Sequence, residues 1–197
     1  SINKPEGYIA FDVCAANRVL NLLAQKEGKE FDAGGELSST GNVAEGLLQQ
    51  LNALAYYGKA YPKSLANDFG NDEVFPLVEK AGLSTADALR TYTEHIVVQI
   101  AAAINNYGGF TTNAPQKLLV TGGGAFNTFL IQRLQQHLQP LNIEVVVPDE
   151  KIVAYKEALV MALIGVLRWR QEYNVFSSVT GAARDSIGGA LWIGQEA

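Results

Sequence analysis

One cysteine, Cys14, stands among 197 residues, which excludes an internal disulfide framework and fits a reducing compartment. Histidine is almost as scarce. His95 and His137 have no ligand partner at zinc spacing, so no protein metal site is expected. The longest apolar run, Ala158 to Leu167, holds ten residues, half of the roughly 20 that a membrane helix needs. No excess of basic residues exists either: the formal net charge is −5 and the pI near 5.1, giving no general pull toward nucleic acid or anionic lipid. A basic-apolar-small leader, an internal repeat, a low-complexity tract and a dividing linker are all missing. Residue 1 is Ser rather than Met, and the expectation is a piece of a longer, cytoplasmic α/β protein.

What is present is an ordinary core composition, 48% hydrophobic and 18% charged, which supports packing rather than disorder. Ser1 to Asn3 reads as an extended tail, Lys4-Pro5-Glu6-Gly7 as a turn, and Tyr8-Ile9-Ala10-Phe11 as a short buried strand, making a hairpin. Apolar spacing predicts helices over Asn17 to Lys26, Val43 to Leu51 and Asp72 to Ala81. The stretch Tyr56 to Gly70 reads as irregular. Ser84-Thr85-Ala86-Asp87 resembles a capping box with Asp in the Glu position and opens a long helix to about Asn106. Its expected inner stripe is Leu89, Ile96, Val97, Ile100 and Ile104. After Gly108-Gly109 and a lead-in over Thr111 to Pro115, strands are predicted at Lys117 to Thr121, Ile143 to Val147 and Gly188 to Ile193. Helices are predicted at Asn127 to Gln139 and about Tyr155 to Tyr173. Trp169 and Trp192 read as packing residues.

The richest stretch is Leu118-Leu119-Val120-Thr121-Gly122-Gly123-Gly124-Ala125-Phe126-Asn127, an apolar strand running through three glycines into a helix start. Glycines let a flat or charged ligand approach the backbone, and the helix start offers unpaired N–H groups. This arrangement suits a nucleotide. A dinucleotide-binding domain is one alternative, with Gly122, Gly124 and Asp149 as its fingerprint. Asn127 in place of the third glycine, the late position and the lack of a second βαβ half speak against it. A ligand-free turn is the bland reading.

Asp12 ends a strand just before a helix, where a carboxylate faces the crevice beyond the strand ends. It is either a base, a metal ligand or a helix cap worth roughly 1 kcal/mol. Asn17 is equally explicable as a cap. Glu157 reads as lying in the first turn of its helix, where a negative side chain is favoured anyway.

Together, Phe11-Asp12 with Asn17, Pro62-Lys63-Ser64, Val120 through Asn127, Glu157-Ala158 and Ser178-Val179-Thr180-Gly181-Ala182 resemble the anhydro-N-acetylmuramic acid kinases, in the same order, from Tyr8 to Gly194. The resemblance implies an RNase H-like lobe of the actin/Hsp70/sugar-kinase fold, a mixed sheet flanked by helices. Residues 1–197 would form the C-terminal lobe. The N-terminal lobe and the N-x-G-G-x-x-N strand that opens this one are missing, and another segment or chain, or a rearranged sheet, is expected to make up for that strand.

Further implications are ATP and Mg²⁺ as cofactors and anhydro-N-acetylmuramic acid or a related sugar as substrate. Asp12 would be the base toward the attacking water. Gly122, Gly123, Gly124 and Asn127 would bind the nucleotide, and Glu157, Asn17 and Lys63 the sugar. The family commonly has D-T-G-P-x-N where this chain has Asp12-Val13-Cys14-Ala15-Ala16-Asn17, and T-G-R-E where it has Leu65-Ala66-Asn67-Asp68. A chain limited to one lobe is expected to be inactive alone, and a non-catalytic ATP-binding or interaction module of the same fold is the alternative. A homodimer through the long helices is left open.

Overall fold

The computed structural model describes residues 1–4, 7–66, 68–108, 116–192 and 194. Pro5, Glu6, Asn67, Gly109, the 111–115 lead-in and Ile193, which carry expectations above, lie outside them. Strands β1 (Ile2–Lys4) and β2 (Gly7–Ile9) form an antiparallel hairpin with Ile2 opposite Ile9. The expected strand over Tyr8 to Phe11 is shorter, and only Ile9 turns fully inward while Tyr8 stays exposed.

Helices α1 (Asn17–Gln25), α2 (Glu36–Thr40) and α3 (Glu45–Asn52) follow. A π-helical turn at Phe69–Val74 then runs into α4 (Phe75–Lys80). Helix α5 (Thr85–Tyr107) starts where its cap predicts. Ser84 Oγ accepts the Asp87 N–H at 3.1 Å and donates to Asp87 Oδ2 at 2.8 Å. The shorter Asp side chain thus takes the hydroxyl, and its other oxygen accepts the Asn42 N–H at 2.7 Å.

Helix α5 is the centre of the core. Leu89, Tyr92, Ile96 and Val97 are almost wholly buried against Leu23 of α1, Leu51 of α3 and Leu134 of α6 (Thr128–Leu138). Each such side chain contributes about 1.5–3 kcal/mol on burial. Ile100 and Ile104, the outer part of the expected stripe, are only half buried.

Strands β3 (Gln116–Leu119) and β4 (Ile143–Val146) pair in parallel, with Gln116 opposite Ile143 and Leu119 opposite Val146. Parallel pairing demands a crossover, which α6 supplies. The resemblance implies a single mixed sheet; among the described residues the strands form two small two-stranded sheets with helices around them. An apolar trough of about 500 Å³ lies between, bordered by Ile2 and Ile9 of the hairpin, Leu118 and Leu119 of β3, and Ile100 and Ile104 of α5.

Several C-terminal expectations are corrected. Helix α7 (Glu150–Trp169) begins five residues earlier than Tyr155, because Asp149 caps it by accepting the Ile152 N–H at 3.1 Å. Glu157 therefore lies in the third turn, beyond the N-terminal charge effect. Asp149, read above as a ribose-binding acid, has this capping bond through Oδ1. A short α8 (Ser177–Thr180) follows.

The described part of Gly188 to Ile193 is not a strand. The Asn174 amide takes the place of a sheet neighbour, accepting the Gly188 N–H at 2.6 Å and donating to its carbonyl at 3.3 Å. Trp169 and Trp192 are not packing residues but 72% and 92% exposed. Val153 is the buried residue of α7, whose other apolar side chains face outward or are half covered. Among the described residues no helix is long and apolar enough to cross a membrane.

His95 on α5 is fully enclosed, its Nδ1 2.7 Å from Asn52 Oδ1 and its Nε2 2.8 Å from the Tyr57 hydroxyl. Burial pushes its pKa down from 6.5 to about 4. The unfolded chain therefore takes up the proton first as pH falls. Stability from this site is complete above pH 6.5 and is lost on the way to pH 4, by about 3 kcal/mol in all. Urea unfolding of wild type and His95→Gln across that window should give curves that converge as pH drops. A constant offset between them would remove His95 from the acid sensitivity.

Candidate functional site

The glycine segment takes its shape from strand β3. The Val120 N–H still bonds the Val146 carbonyl at 2.9 Å, extending the pairing to the last residue before the turn. Gly122 then adopts φ 76° and ψ −173°, a region open essentially to glycine alone. A 3₁₀ turn over Gly123–Phe126 follows, with the Asn127 N–H on the Gly124 carbonyl at 3.2 Å. Asn127 itself caps α6, its Oδ1 accepting the Leu130 N–H at 3.0 Å.

Against this turn lies Asn17. It is the first residue of α1 rather than its cap; Ala16 holds the cap position and offers no side-chain bond. A Cβ on Gly123 would stand 3.0 Å from Asn17 Nδ2, and one on Gly124 3.5 Å from its Oδ1. Helix start and glycine turn therefore meet directly, Asn17 and Gly123 being 106 residues apart in sequence, and an added Cβ at Gly123 would press on Asn17.

Two cavities share this junction. Asn17, Gly122, Gly123 and Gly124 border one end of the apolar trough. Asn17, Gly123 and Asn127 also border a second cavity of about 330 Å³, together with Asn21, Phe31, Asp32 and Phe126. The trough is larger but mainly aliphatic. The second cavity has the chemistry of a ligand site: amides from one face of α1 at i and i+4, and two rings, Phe31 and Phe126, left 54% and 52% exposed. Asp32 is buried, and its carboxylate is engaged within its own loop, accepting the Leu37 and Ser38 N–H groups at 2.9 Å each. Thr128 Oγ1, donating to the Gly34 carbonyl at 2.9 Å, ties the 31–35 loop to α6.

Asp12 sits beside the junction, exposed, between Phe11 and Val13, which border the trough. It is not a helix cap. Its N–H donates to the Lys63 carbonyl at 3.3 Å, and its Oδ2 accepts the Leu65 N–H at 2.8 Å. The Tyr56 hydroxyl donates to its carbonyl. The Lys63 ammonium points back into this segment, 3.4 Å from the Tyr56 carbonyl and 3.5 Å from that of Tyr57, and lies over the Phe11 and Tyr56 rings. Burial, and after it the Lys59 charge, lowers its pKa. Cys14 is partly buried, and desolvation pushes its thiol up to about 12, so it stays protonated and inert.

The structure thus brings Asn17, Gly122, Gly123, Gly124 and Asn127 together at one end of β3. Asp12 and Lys63 are bonded to each other through their backbones, and neither borders the trough or the second cavity. Glu157 is exposed on α7 and borders none of these cavities. Sequence reasoning missed Asn21, Phe31 and Tyr56. Only Asn21 left a signal, its one-turn spacing from Asn17.

Comparison with known proteins bears on the same residues. A family model described as anhydro-N-acetylmuramic acid kinase matches residues 1–194. A relative of that name from Gloeobacter violaceus is 35% identical over 185 residues, 91% of this chain and 48% of the relative. One from Variovorax paradoxus is 32% identical over 187 residues, covering 93% and 49%. One from Psychrobacter arcticus is 31% identical over 201 residues, covering 97% and 46%. The chain spans about half the length of the curated relatives it matches.

Replacing Gly122 by Ala should cost about 1–3 kcal/mol from its backbone conformation alone. The same change at Gly46, which has nothing within 4 Å of an added Cβ and lies inside α3, should stabilise by a few tenths to 1 kcal/mol. Chemical denaturation of both variants checks the contrast, and equal effects would refute it.

Proposed function

The chain belongs to the anhydro-N-acetylmuramic acid kinase family, and from that premise we propose that it is the C-terminal lobe of a two-lobed sugar kinase with the actin/Hsp70/sugar-kinase fold. The activity in this reading is the ATP-dependent conversion of anhydro-N-acetylmuramic acid to its 6-phosphate, in cytoplasmic recycling of peptidoglycan. The observation that carries it is the meeting of Asn17 with Gly123 and Gly124. Two parts of the family pattern, far apart in sequence, meet at the carboxyl end of β3, the place where α/β sheets hold ligands, and Phe11 and Val13, on either side of Asp12, border the same trough.

The adenosine of ATP rests on Gly122 to Gly124 and enters the second cavity. Its 330 Å³ falls in the range of about 300–1,000 Å³ typical of small-molecule sites. Phe31 and Phe126 offer ring faces, and base–aromatic stacking contributes about 1–3 kcal/mol. Asn17 and Asn21 supply amides, and Asn127 fixes the far rim. Mg²⁺ would arrive on the nucleotide phosphates rather than in a protein cage, and it would supply charge neutralisation for phosphoryl transfer.

Asp12 takes a proton from the attacking water. The water oxygen bonds to C1 as the C1–O6 bond breaks, and O6 takes the γ-phosphoryl as its bond to ADP breaks. Glu157 is assigned to the sugar by the resemblance alone. The N-terminal half supplies the opposite wall of the cleft, and the isolated 197-residue chain is inactive because transfer needs groups from both lobes. The uncovered apolar side of α7 favours such a packing partner.

With the protein at its full natural length, Asp12→Asn should lower the rate of anhydro-N-acetylmuramic acid phosphorylation by about 10²–10⁴-fold while ATP affinity stays unchanged. A wild type that binds ATP but leaves this sugar untouched would keep the nucleotide site and discard the substrate.

A further inference from the structure

Every polar group of Asp12 but one is held by a single segment, Tyr56 to Leu65. Its N–H goes to the Lys63 carbonyl, its C=O takes the Tyr56 hydroxyl, and its Oδ2 takes the Leu65 N–H at 2.8 Å. Only Oδ1 has no hydrogen-bond partner among the described residues. The backbone of Asp12 is thus fixed on both sides and its side chain is pinned by one oxygen. A carboxylate held in this way presents a single oxygen in one direction, as a proton acceptor requires.

The segment that does the holding is itself anchored. The Tyr56 ring is buried against Phe69, with centroids 5.3 Å apart, and stands 5.6 Å from Tyr57. Lys63 closes the arrangement from the other side. Its ammonium, 4.6 Å from the Tyr56 ring centroid and 5.5 Å from that of Phe11, bridges the residue before Asp12 and the tyrosine that bonds it. The Tyr56 and Tyr57 carbonyls take up two of its donors. An ammonium so engaged is poorly placed to serve as a sugar ligand.

We propose that Tyr56, Lys63 and the Leu65 peptide form a brace that aims Oδ1 of Asp12 at the reacting water. Tyr56 and Lys63 are then positioning residues for the reaction, not substrate contacts. This rests on Asp12 being the base. Because a displacement of about 1 Å can cost 10²-fold in rate, the brace acts on turnover and leaves binding alone.

The test uses the protein at its full natural length with ATP and anhydro-N-acetylmuramic acid. Tyr56→Phe keeps the ring and loses the hydroxyl; it should lower kcat by roughly 10- to 100-fold with KM for both substrates within about twofold of wild type. Lys63→Met, which keeps the apolar stem, should show the same split. Tyr57→Phe removes the neighbouring hydroxyl, which bonds His95 and not Asp12, and should leave kcat near wild type. Amide hydrogen exchange at Leu65, measured on the 197-residue chain, gives a readout independent of catalysis and should quicken in Tyr56→Phe but not in Tyr57→Phe. A rise in the sugar KM for Lys63→Met would make it a substrate ligand and overturn its place in the brace. Equal kcat losses in Tyr56→Phe and Tyr57→Phe would reduce the brace to general packing, and a wild-type kcat in Tyr56→Phe would overturn it. In both cases an inactive Asp12→Asn would leave the base standing, whereas an active Asp12→Asn would remove the base and the brace together.

Discussion

The burial of α5 on all sides is the constraint on which the rest of this structure depends. From Ala88 to Val97 nearly every residue is buried, polar ones included, and apart from the Thr93 hydroxyl and one Arg90 nitrogen the polar side chains there find partners inside the protein. Those partners place the other elements. Thr91 accepts the Ala44 N–H at 2.9 Å and sets the approach of α3. The Tyr92 hydroxyl reaches the Ala15 carbonyl at 2.7 Å and fixes the chain between Asp12 and α1. Glu94 takes two bonds of 3.0 Å from Arg133 and lies 2.7 Å from His137, locking α6. Burial alone would raise the Glu94 pKa, but the Arg133 bonds and the charges of Arg133, His137 and Arg90 outweigh it and hold the carboxyl low. The crevice is thereby assembled at a distance: α1 and α6, whose first turns border it, are both positioned from the core helix.

Local chemistry was legible in the sequence wherever a side chain acts within its own turn. Ser84 and Asp87 announce α5, and Leu118 to Asn127 announce a strand, a turn and a helix. The observed ends of α1, α5, β3, α6 and β4 fall within two residues of those expected. What stayed hidden depends on contacts between distant segments. Asp12 and Asn17 read equally well as caps, and only the approach of residues 56–65 and 122–124 shows that neither is one. Tyr56 gave no signal, because its bond to Asp12 spans 44 residues. Asp149 misled in the opposite direction: it read as part of a dinucleotide fingerprint, yet it caps α7, which starts five residues earlier than expected and so puts Glu157 in its third turn.

The sheets show the same division. Period-two patterns located β1 to β4 in outline, but not the separation of the two pairs. Parallel pairing of β3 with β4 follows from the α6 crossover, and the hairpin pairs Lys4 with Gly7, two residues intervening. Nothing comparable joins β1 to β3 among the described residues. The trough between them is lined by Ile2, Ile9, Leu118 and Leu119, residues whose alternation reads as strand without naming a neighbour.

The exposed side of α7 also decides what light can report about this protein. Its two tryptophans, Trp169 and Trp192, both belong to the C-terminal segment and are largely bathed in water. Their emission is therefore that of a solvated indole already in the native state, and melting of the α5 core leaves it nearly unchanged. The core has Tyr92 as its own buried chromophore, with Tyr56 and Tyr57 beside it. Indole fluorescence becomes instead a selective gauge of whatever comes to rest on α7, dark to the rest of the molecule.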